Sequence, residues 1–413
     1  ALSVMGPSAS LWQSQIGASR QREMTLSNDS TPHHLSGHGA AEARQMTSNK
    51  GLIKLALMLL FAGISFGVAG MVCITVMHLL SLASIGQDSA SSHGISLLES
   101  SRLGGLSIFL IVIFYSVILV VGTDLALSDV AGGPSINAGT AIVFCSLLGL
   151  AEDIKTDFLT PMLRLGLKFL ILGVLFWSWP EVTPNALGIV GLDSLLAIPF
   201  LAWVLTTFFC VGFINAVNMA DGANGLVSGI AAVSFFIFFE EFGGPLAAIL
   251  MFACCMFLIL NVVSGRFFLG DMGSYGIGAT IAIFGLYAVA QGQMSAAFMA
   301  ALLAYPCLDF IGSLTRRLLQ GRSPFSPDND HLHNRLHFQL KKVLGAGVLS
   351  NSATGLLISG GSAGLVLVAY IGQWWPITSH TWIWLFIFEC ALYLTAFKLS
   401  GRSKPAPQHS EPL

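Results

Sequence analysis

The sequence predicts an all-α, polytopic integral membrane protein with about eleven transmembrane helices and its reactive residues in cytoplasmic loops. Three observations carry that expectation. Hydrophobic residues fill 54% of the 413 positions and charged ones only 10%, against about 25% charged in soluble domains. Apolar runs of about 20 residues recur along the chain, the length that crosses a bilayer. Basic residues fall on alternate connections, as the positive-inside rule requires. The net charge of −2 selects no partner, and no basic stripe interleaved with aromatics points to nucleic acid. The seven cysteines all lie inside apolar runs with no Cys-x-x-Cys, so neither a disulfide framework nor a zinc cluster is indicated.

Taken in order, residues 1–50 are polar and aperiodic and read as a disordered extension, with Met46 as the expected biological start. Residues 51–400 form the membrane domain, and residues 401–413 a cytoplasmic tail. The apolar segments lie at about 53–85, 103–122, 137–151, 162–179, 195–214, 225–240, 245–263, 276–291, 294–318, 352–372 and 381–399. The first is long enough to tilt or to continue beyond the bilayer; the third and sixth are short. Alternating the sides places Arg102, Lys155, Arg266, Arg316, Arg317, Arg322, Arg335, Lys341 and Lys342 on one face. The opposite loops carry Asp124, Asp129, Glu181, Asp193, Glu240 and Glu241 without Lys or Arg. The first face is therefore read as cytoplasmic, with the amino terminus outside. Arg20, Arg22, Arg44 and Lys50 run against that orientation unless the chain starts at Met46.

Five polar clusters converge on the basic face. They are Ser101-Arg102-Leu-Gly-Gly105, Glu152-Asp153, the hinge Asn215–Gly229, Phe268-Leu-Gly-Asp271-Met-Gly-Ser274, and Asp328 to Arg335. The hinge holds Asn215, Asn218, Asn224 and Asp221 among glycines at 222 and 225, which permit φ > 0 and close backbone approach. Such a segment suits a phosphate and its metal; a hydrophilic connector is the alternative. Adjacent Glu152 and Asp153 offer metal ligation or a base with a raised pKa, or else a solvated helix end. Asp271, at the start of an apolar helix, offers Mg²⁺ ligation shared with Asp221 and substrate phosphates. His331 and His333 point about 200° apart in a helix but share a face when extended, and with Arg335 they form a candidate phosphate clamp. Asp309 is either functional or an ion-pair partner of Arg316 or Arg317.

In their order, these pieces resemble the polyprenyl-phosphate N-acetylhexosamine-1-phosphate transferases from about Arg102 to Arg335. The likeness is carried by Arg-x-Gly-Gly, the acidic pair, Asn-x-x-Asn-x-x-Asp-Gly-x-Asn-Gly, Phe-x-Gly-Asp-x-Gly-Ser and Ser-Pro-Phe-Ser-Pro-Asp-x-x-His-Leu-His. The resemblance implies transfer of a sugar 1-phosphate from UDP-N-acetylhexosamine to undecaprenyl phosphate, releasing UMP, at the inner face of a bacterial cytoplasmic membrane. It implies Mg²⁺, with Mn²⁺ as an alternative. Asp271 and Asp221 would be metal or diphosphate ligands, and Asp153 with Glu152 would serve the lipid phosphate. Asn218, Asn224, Asn261 and Phe268 occupy uridine-contact positions; His331, His333 and Arg335 would meet the diphosphate or sugar. Glu152 and Asn224 replace family aspartates, Asn329 stands where many members have Arg, and Asn334 where many have His. A branch of the family acting in surface-polysaccharide synthesis is similar at the first two, and the His-Leu-His segment is unlike the three-histidine run of the MurNAc-pentapeptide translocases. A peptidoglycan translocase and a multi-span transporter stand as the rival readings. A monomer and a homodimer both remain open.

Overall fold

A computed structural model of the chain describes residues 51–401 and the helical backbone of 37–50, apart from 83–86, 89–99, 124, 127–129, 131–135, 156–157, 327 and 346. Residues 1–36, most of the first loop and the tail beyond Gly401 lie outside the described residues. The chain divides into two units, Ala1–Leu57 and Met58–Leu413. Helix α1 (Gly37–Ser81) begins in the first. Residues 37–50, expected to lack structure, are therefore helical; Ala40, Ala41, Glu42, Ala43, Arg44 and Gln45 are strong helix formers. In the second unit α1 is interrupted at Gly67, whose φ of 63° is not helical.

The second unit is otherwise a helical array. Two short antiparallel strands, β1 (Gln87–Asp88) and β2 (Ser100–Ser101), precede α2 (Gly104–Gly122) and α3 (Ile136–Ile154). Helix α4 (Pro161–Ser178) starts sharply because Thr160 accepts the Leu163 N–H and Pro161 occupies the first turn, where its missing N–H is harmless. Short α5 (Leu192–Leu196) leads to α6 (Pro199–Ala220), again opened by proline. The hinge then turns the chain into α7 (Leu226–Phe242), followed by α8 (Pro245–Ser264) and α9 (Gly270–Ala290). After α10 (Ala296–Leu302) and α11 (Ala304–Leu319) come α12 (Leu332–Leu344), α13 (Val348–Gly361), α14 (Ala363–Ile371) and α15 (Ile383–Leu399).

Among the described residues eight helices are long and apolar enough to cross a membrane, or up to ten if each of two bent pairs counts once, so this is a multi-pass membrane protein. Each of the eleven expected segments corresponds to a helix or a bent pair. The sixth, α7, has 17 residues, as has α15, the counterpart of the eleventh. The bent pairs correct two expectations of continuous spans. Helices α10 and α11 meet at 77°, just before Pro306, which cannot donate to the Leu302 carbonyl. Helices α13 and α14 meet at 43° across Gly360-Gly361-Ser362, where φ and ψ of Ser362 are −116° and −100°.

Helix α9 is the axis of the unit. Its apolar stretch is 83% buried, against 22% for the span that contains α15. It packs on α2, α3, α6 and α7, and its first turn is where the polar clusters meet.

Candidate active site

The first turn of α9 is held by Asp153, at the end of α3. Asp153 Oδ1 accepts the Asp271 N–H at 2.9 Å and Oδ2 the Met272 N–H at 2.8 Å. A carboxylate here satisfies two of the four N–H groups a helix start leaves open and complements the positive end of its dipole. Gly270 is obligatory at the junction: its φ is +72°, and a Cβ would collide with the Arg102 carbonyl and the Asp153 carboxylate. The Arg102 loop reaches that point through backbone pairing, with Phe268 N–H donating to Ser101 O at 2.8 Å and Gly104 N–H to Phe268 O at 3.0 Å.

Asp271 points outward from this anchored turn. Asn218 Nδ2 donates to its Oδ1 at 2.9 Å and the Tyr275 hydroxyl to its Oδ2 at 3.3 Å. Arg164, from the first turns of α4, lies 3.7 Å from Asp271 Oδ2 and 3.4 Å from Glu152 Oε2. Glu152 is buried and also accepts the Leu159 N–H at 2.7 Å, so it ties the α3–α4 connection to Arg164. One turn along α4, buried Lys168 donates to Asn215 Oδ1 and stands 4.0 Å from the Tyr275 ring centre. Sequence reasoning missed this pair. Its signal was present: Arg164 and Lys168 are cations four residues apart inside an apolar segment, and intramembrane cations mark functional sites by default.

Asp221 closes α6 beside the same turn. Burial, then the charges of Asp153 and Asp271, push its pKa well above the usual carboxylate range. Three carboxylates thus crowd one point, an arrangement that favours a cation. Among the described residues no three His, Cys, Asp or Glu side chains form an all-protein metal cage. The donor set fits the way Mg²⁺ is commonly held, by one or two carboxylates with the rest of its shell from phosphates and water.

Two of the amides expected to contact uridine, Asn224 and Asn261, also bond within the fold. Gly225 N–H donates to Asn261 Oδ1 at 2.6 Å, Asn261 Nδ2 to Phe267 O at 2.7 Å, and Asn351 Oδ1 receives the Asn224 N–H at 2.8 Å. Asn224 Nδ2 donates to Ser352 Oγ at 3.2 Å. Asn224 and Asn261 are 1% and 3% exposed, so their amides fasten the hinge to α8 and α13. Asn218 sits apart from them, on Asp271, and Phe268 is half-buried next to the Arg102 loop. Of the two hinge glycines, Gly225 has the expected positive φ of 83°, whereas Gly222 is required for space, since a Cβ would enter the His333 ring.

His333 therefore reaches the hinge. His331 caps α12 in an extended conformation, which brings the two rings parallel at 5.3 Å. His331 Nδ1 lies 2.7 Å from Asp309 Oδ2 and Nε2 2.9 Å from the Asp328 carbonyl. Both partners are acceptors, so both nitrogens carry protons and the ring is an imidazolium. Burial lowers its pKa, but the bond to Asp309 and that carboxylate's charge more than reverse this, and the pKa is raised. His333, bonded to the Tyr305 hydroxyl at 3.1 Å, is pushed down to about 4 by burial and is neutral. Asp309 also accepts the Leu332 N–H at 3.0 Å and the Tyr393 hydroxyl at 2.9 Å. Of the two alternatives for Asp309, the ion pair with Arg316 or Arg317 is not the one formed: Arg316 binds Asp328 at 2.9 Å, and Arg317 donates to the Ser313, Pro324 and Ser326 carbonyls. Arg335 likewise departs from the expected clamp. It forks onto Asp330 at 2.6 and 2.7 Å, donates to Phe397 O and stacks 3.6 Å from that ring's centre, which fixes α12 to α15.

A groove of about 740 Å³ opens on this site between α4, α6 and α11. Arg164, Lys168, Asn215, Asn218 and Arg317 line its polar part, and Phe169, Phe208, Val211, Phe310, Leu314 and Phe325 its apolar part. A second groove of about 530 Å³, between α2, α3, α8 and α9, has no charged lining.

Residues 135–289, which run from α3 to the end of α9, match the family described as glycosyl transferase family 4. The undecaprenyl-phosphate α-N-acetylglucosaminyl 1-phosphate transferase of Escherichia coli K12 is 30% identical over 283 residues, 64% of this chain and 72% of that protein. The chain belongs to this family. The enzyme of the same name from Yersinia pestis is 34% identical over 217 residues, 49% of this chain and 55% of its own. A decaprenyl-phosphate N-acetylglucosaminephosphotransferase of Mycolicibacterium smegmatis is 31% identical over 188 residues, 39% of this chain and 45% of its own.

Proposed function

We propose that this glycosyl transferase family 4 member moves an N-acetylhexosamine 1-phosphate from a UDP-sugar to undecaprenyl phosphate, releasing UMP and initiating a surface polysaccharide. The observation that supports it is the groove, cationic at the end where Arg164 and Asn218 reach Asp271 and apolar beyond. That gradient suits a lipid phosphate: a headgroup against Arg164, Lys168 and Arg317, and a prenyl tail along the phenylalanines. The second groove, with no charged residue among its described lining, offers no such cationic headgroup contact.

In the reaction a lipid phosphate oxygen attacks the phosphorus bonded to the sugar, the bridging P–O bond breaks, and UMP leaves with the electron pair. Phosphoryl transfer asks the protein mainly for in-line positioning and charge neutralisation, so we favour direct attack over a phospho-enzyme. Asp271, with Asp221, would hold Mg²⁺, which neutralises diphosphate charge when bound. Asn218 and Tyr275 orient Asp271, Arg164 keeps Glu152 and Asp271 in register, and the His331 imidazolium supplies positive charge on the hinge side. The basic face carrying these groups is the cytoplasmic face of a bacterial inner membrane in this reading.

The test is UMP release from UDP-GlcNAc and UDP-GalNAc by purified protein with undecaprenyl phosphate and Mg²⁺. We expect release that needs lipid and metal and is lost in Asp271→Asn. No release from folded protein with either donor would overturn the proposed donor class. Release that survives Asp271→Asn would overturn the metal assignment alone.

A further inference from the structure

A second polar site lies around Glu389, midway along the span His380–Leu399. Glu389 is 4% exposed and faces the buried Ser362 hydroxyl, and among the described residues neither group makes a well-formed hydrogen bond. Both line a cavity of about 160 Å³ together with Tyr305 and Tyr393. The breaks of both bent helix pairs lie here: Tyr305 stands two residues after Leu303, where α10 gives way to α11, and Ser362 is the α13–α14 break itself.

A buried carboxylate with no partner is among the costliest groups a protein can carry, and the structures that keep one pair it, protonate it or give it a cation. Among the described residues no Lys, Arg or His lines this cavity. The titratable groups around it are Tyr305 from α11 and Tyr393 from α15, with Cys390 next in sequence to Glu389; α12 contributes only Leu332 and Leu336. The Tyr393 hydroxyl already donates to Asp309, so toward the cavity its oxygen can only accept. The lining thus offers oxygen acceptors, one negative charge and room for about five waters at ~30 Å³ each. One charge selects a monovalent ion, because a divalent ion would leave net charge in an apolar interior. Breaks in membrane helices are where such ions find oxygen ligands.

We propose that Glu389, Ser362 and this cavity bind a partly hydrated monovalent cation where the two broken helices meet. Occupancy acts on the histidine loop, since Tyr393 and Tyr305 contact Asp309 and His333.

The experiment follows thermal unfolding of the purified full chain at pH 8 as NaCl, KCl or LiCl replaces choline chloride at constant ionic strength. We expect a saturable rise in the midpoint with at least one of these salts, abolished in Glu389→Gln. Ser362→Ala should raise the half-saturating concentration by about tenfold, through loss of one ligand. The same midpoint in every chloride, or the same rise in Glu389→Gln, overturns the proposal. So does a midpoint that follows pH alone, which would mean a protonated carboxylic acid. If Glu389→Gln does not fold, Ser362→Ala decides, and an unchanged half-saturation there is refuting.

Discussion

Asp153 separates two accounts of the acidic pair, one in which it serves the lipid phosphate and one in which it builds the site. Asp153→Ala removes the acceptor of two backbone N–H groups, those of Asp271 and Met272, at 2.9 and 2.8 Å. Each N–H left without a partner in a buried setting costs about 1–3 kcal/mol, and the lost charge at a helix start adds about 0.3–1 kcal/mol. The sum is roughly 2–7 kcal/mol, a large part of a typical total stability. Asp153→Asn keeps one acceptor oxygen but turns an NH₂ toward the second N–H, so its cost falls toward the lower end. The assay is thermal unfolding in detergent beside UMP release, both with saturating Mg²⁺. We expect Asp153→Ala to unfold several degrees lower, Asp153→Asn to fall between it and the parent, and activity to decline in the same order. Full stability in Asp153→Ala with activity abolished would refute the capping argument and return Asp153 to the chemistry.

Three further outcomes are expected. Arg164→Gln removes the bridge between Glu152 and Asp271; being partly exposed, it should cost less than about 1 kcal/mol of stability yet lower UMP release at least tenfold. Gly222→Ala puts a methyl group into the His333 ring and should destabilise by about 1–3 kcal/mol, measured by the same unfolding assay. The stacked histidines give opposite pH slopes. His331 is raised, so its contribution is full below about pH 6.5 and is lost as pH rises through its folded pKa. His333 is depressed to about 4, so its contribution is full above about pH 6.5 and is lost as pH falls toward 4. His333→Asn should therefore flatten the acid limb of a stability–pH curve and leave the alkaline limb in place.

The spans were legible because apolar length is a local property, and even the 17-residue α7 was marked by the hinge before it and Gly243-Gly244 after it. The two helix breaks left signals that hydropathy alone passes over: Pro306 in one and Gly360-Gly361-Ser362 in the other. In the site, Asp153, Asp221, Asp271, His331 and His333 were identifiable because carboxylates and histidines beside glycines are rare in an apolar chain. Their partners were not. Asn351 meeting Asn224 across 127 positions, or Tyr393 meeting Asp309 across 84, follows from the packing of helices and has no local pattern. Asn224, Asn261 and Arg335 were legible as polar residues near the site, but the hydrogen bonds by which they also hold the fold were not.

The histidine loop leans on the last helix at four places: Tyr393 on Asp309, Phe397 on Arg316 and Arg335, and the Ser400 carbonyl on Gln339. A chain made from its amino end inserts α15 after α11 and α12. The loop between α11 and α12 is translated well before its support and cannot settle until α15 is in the bilayer. Competence is thereby tied to the arrival of α15, and a chain truncated before it carries every acidic residue of the site without a properly seated His331. A fusion that strains the stretch just after Leu399 would act on the histidines from a distance, and would be read as a catalytic defect in a protein whose carboxylate cluster is intact.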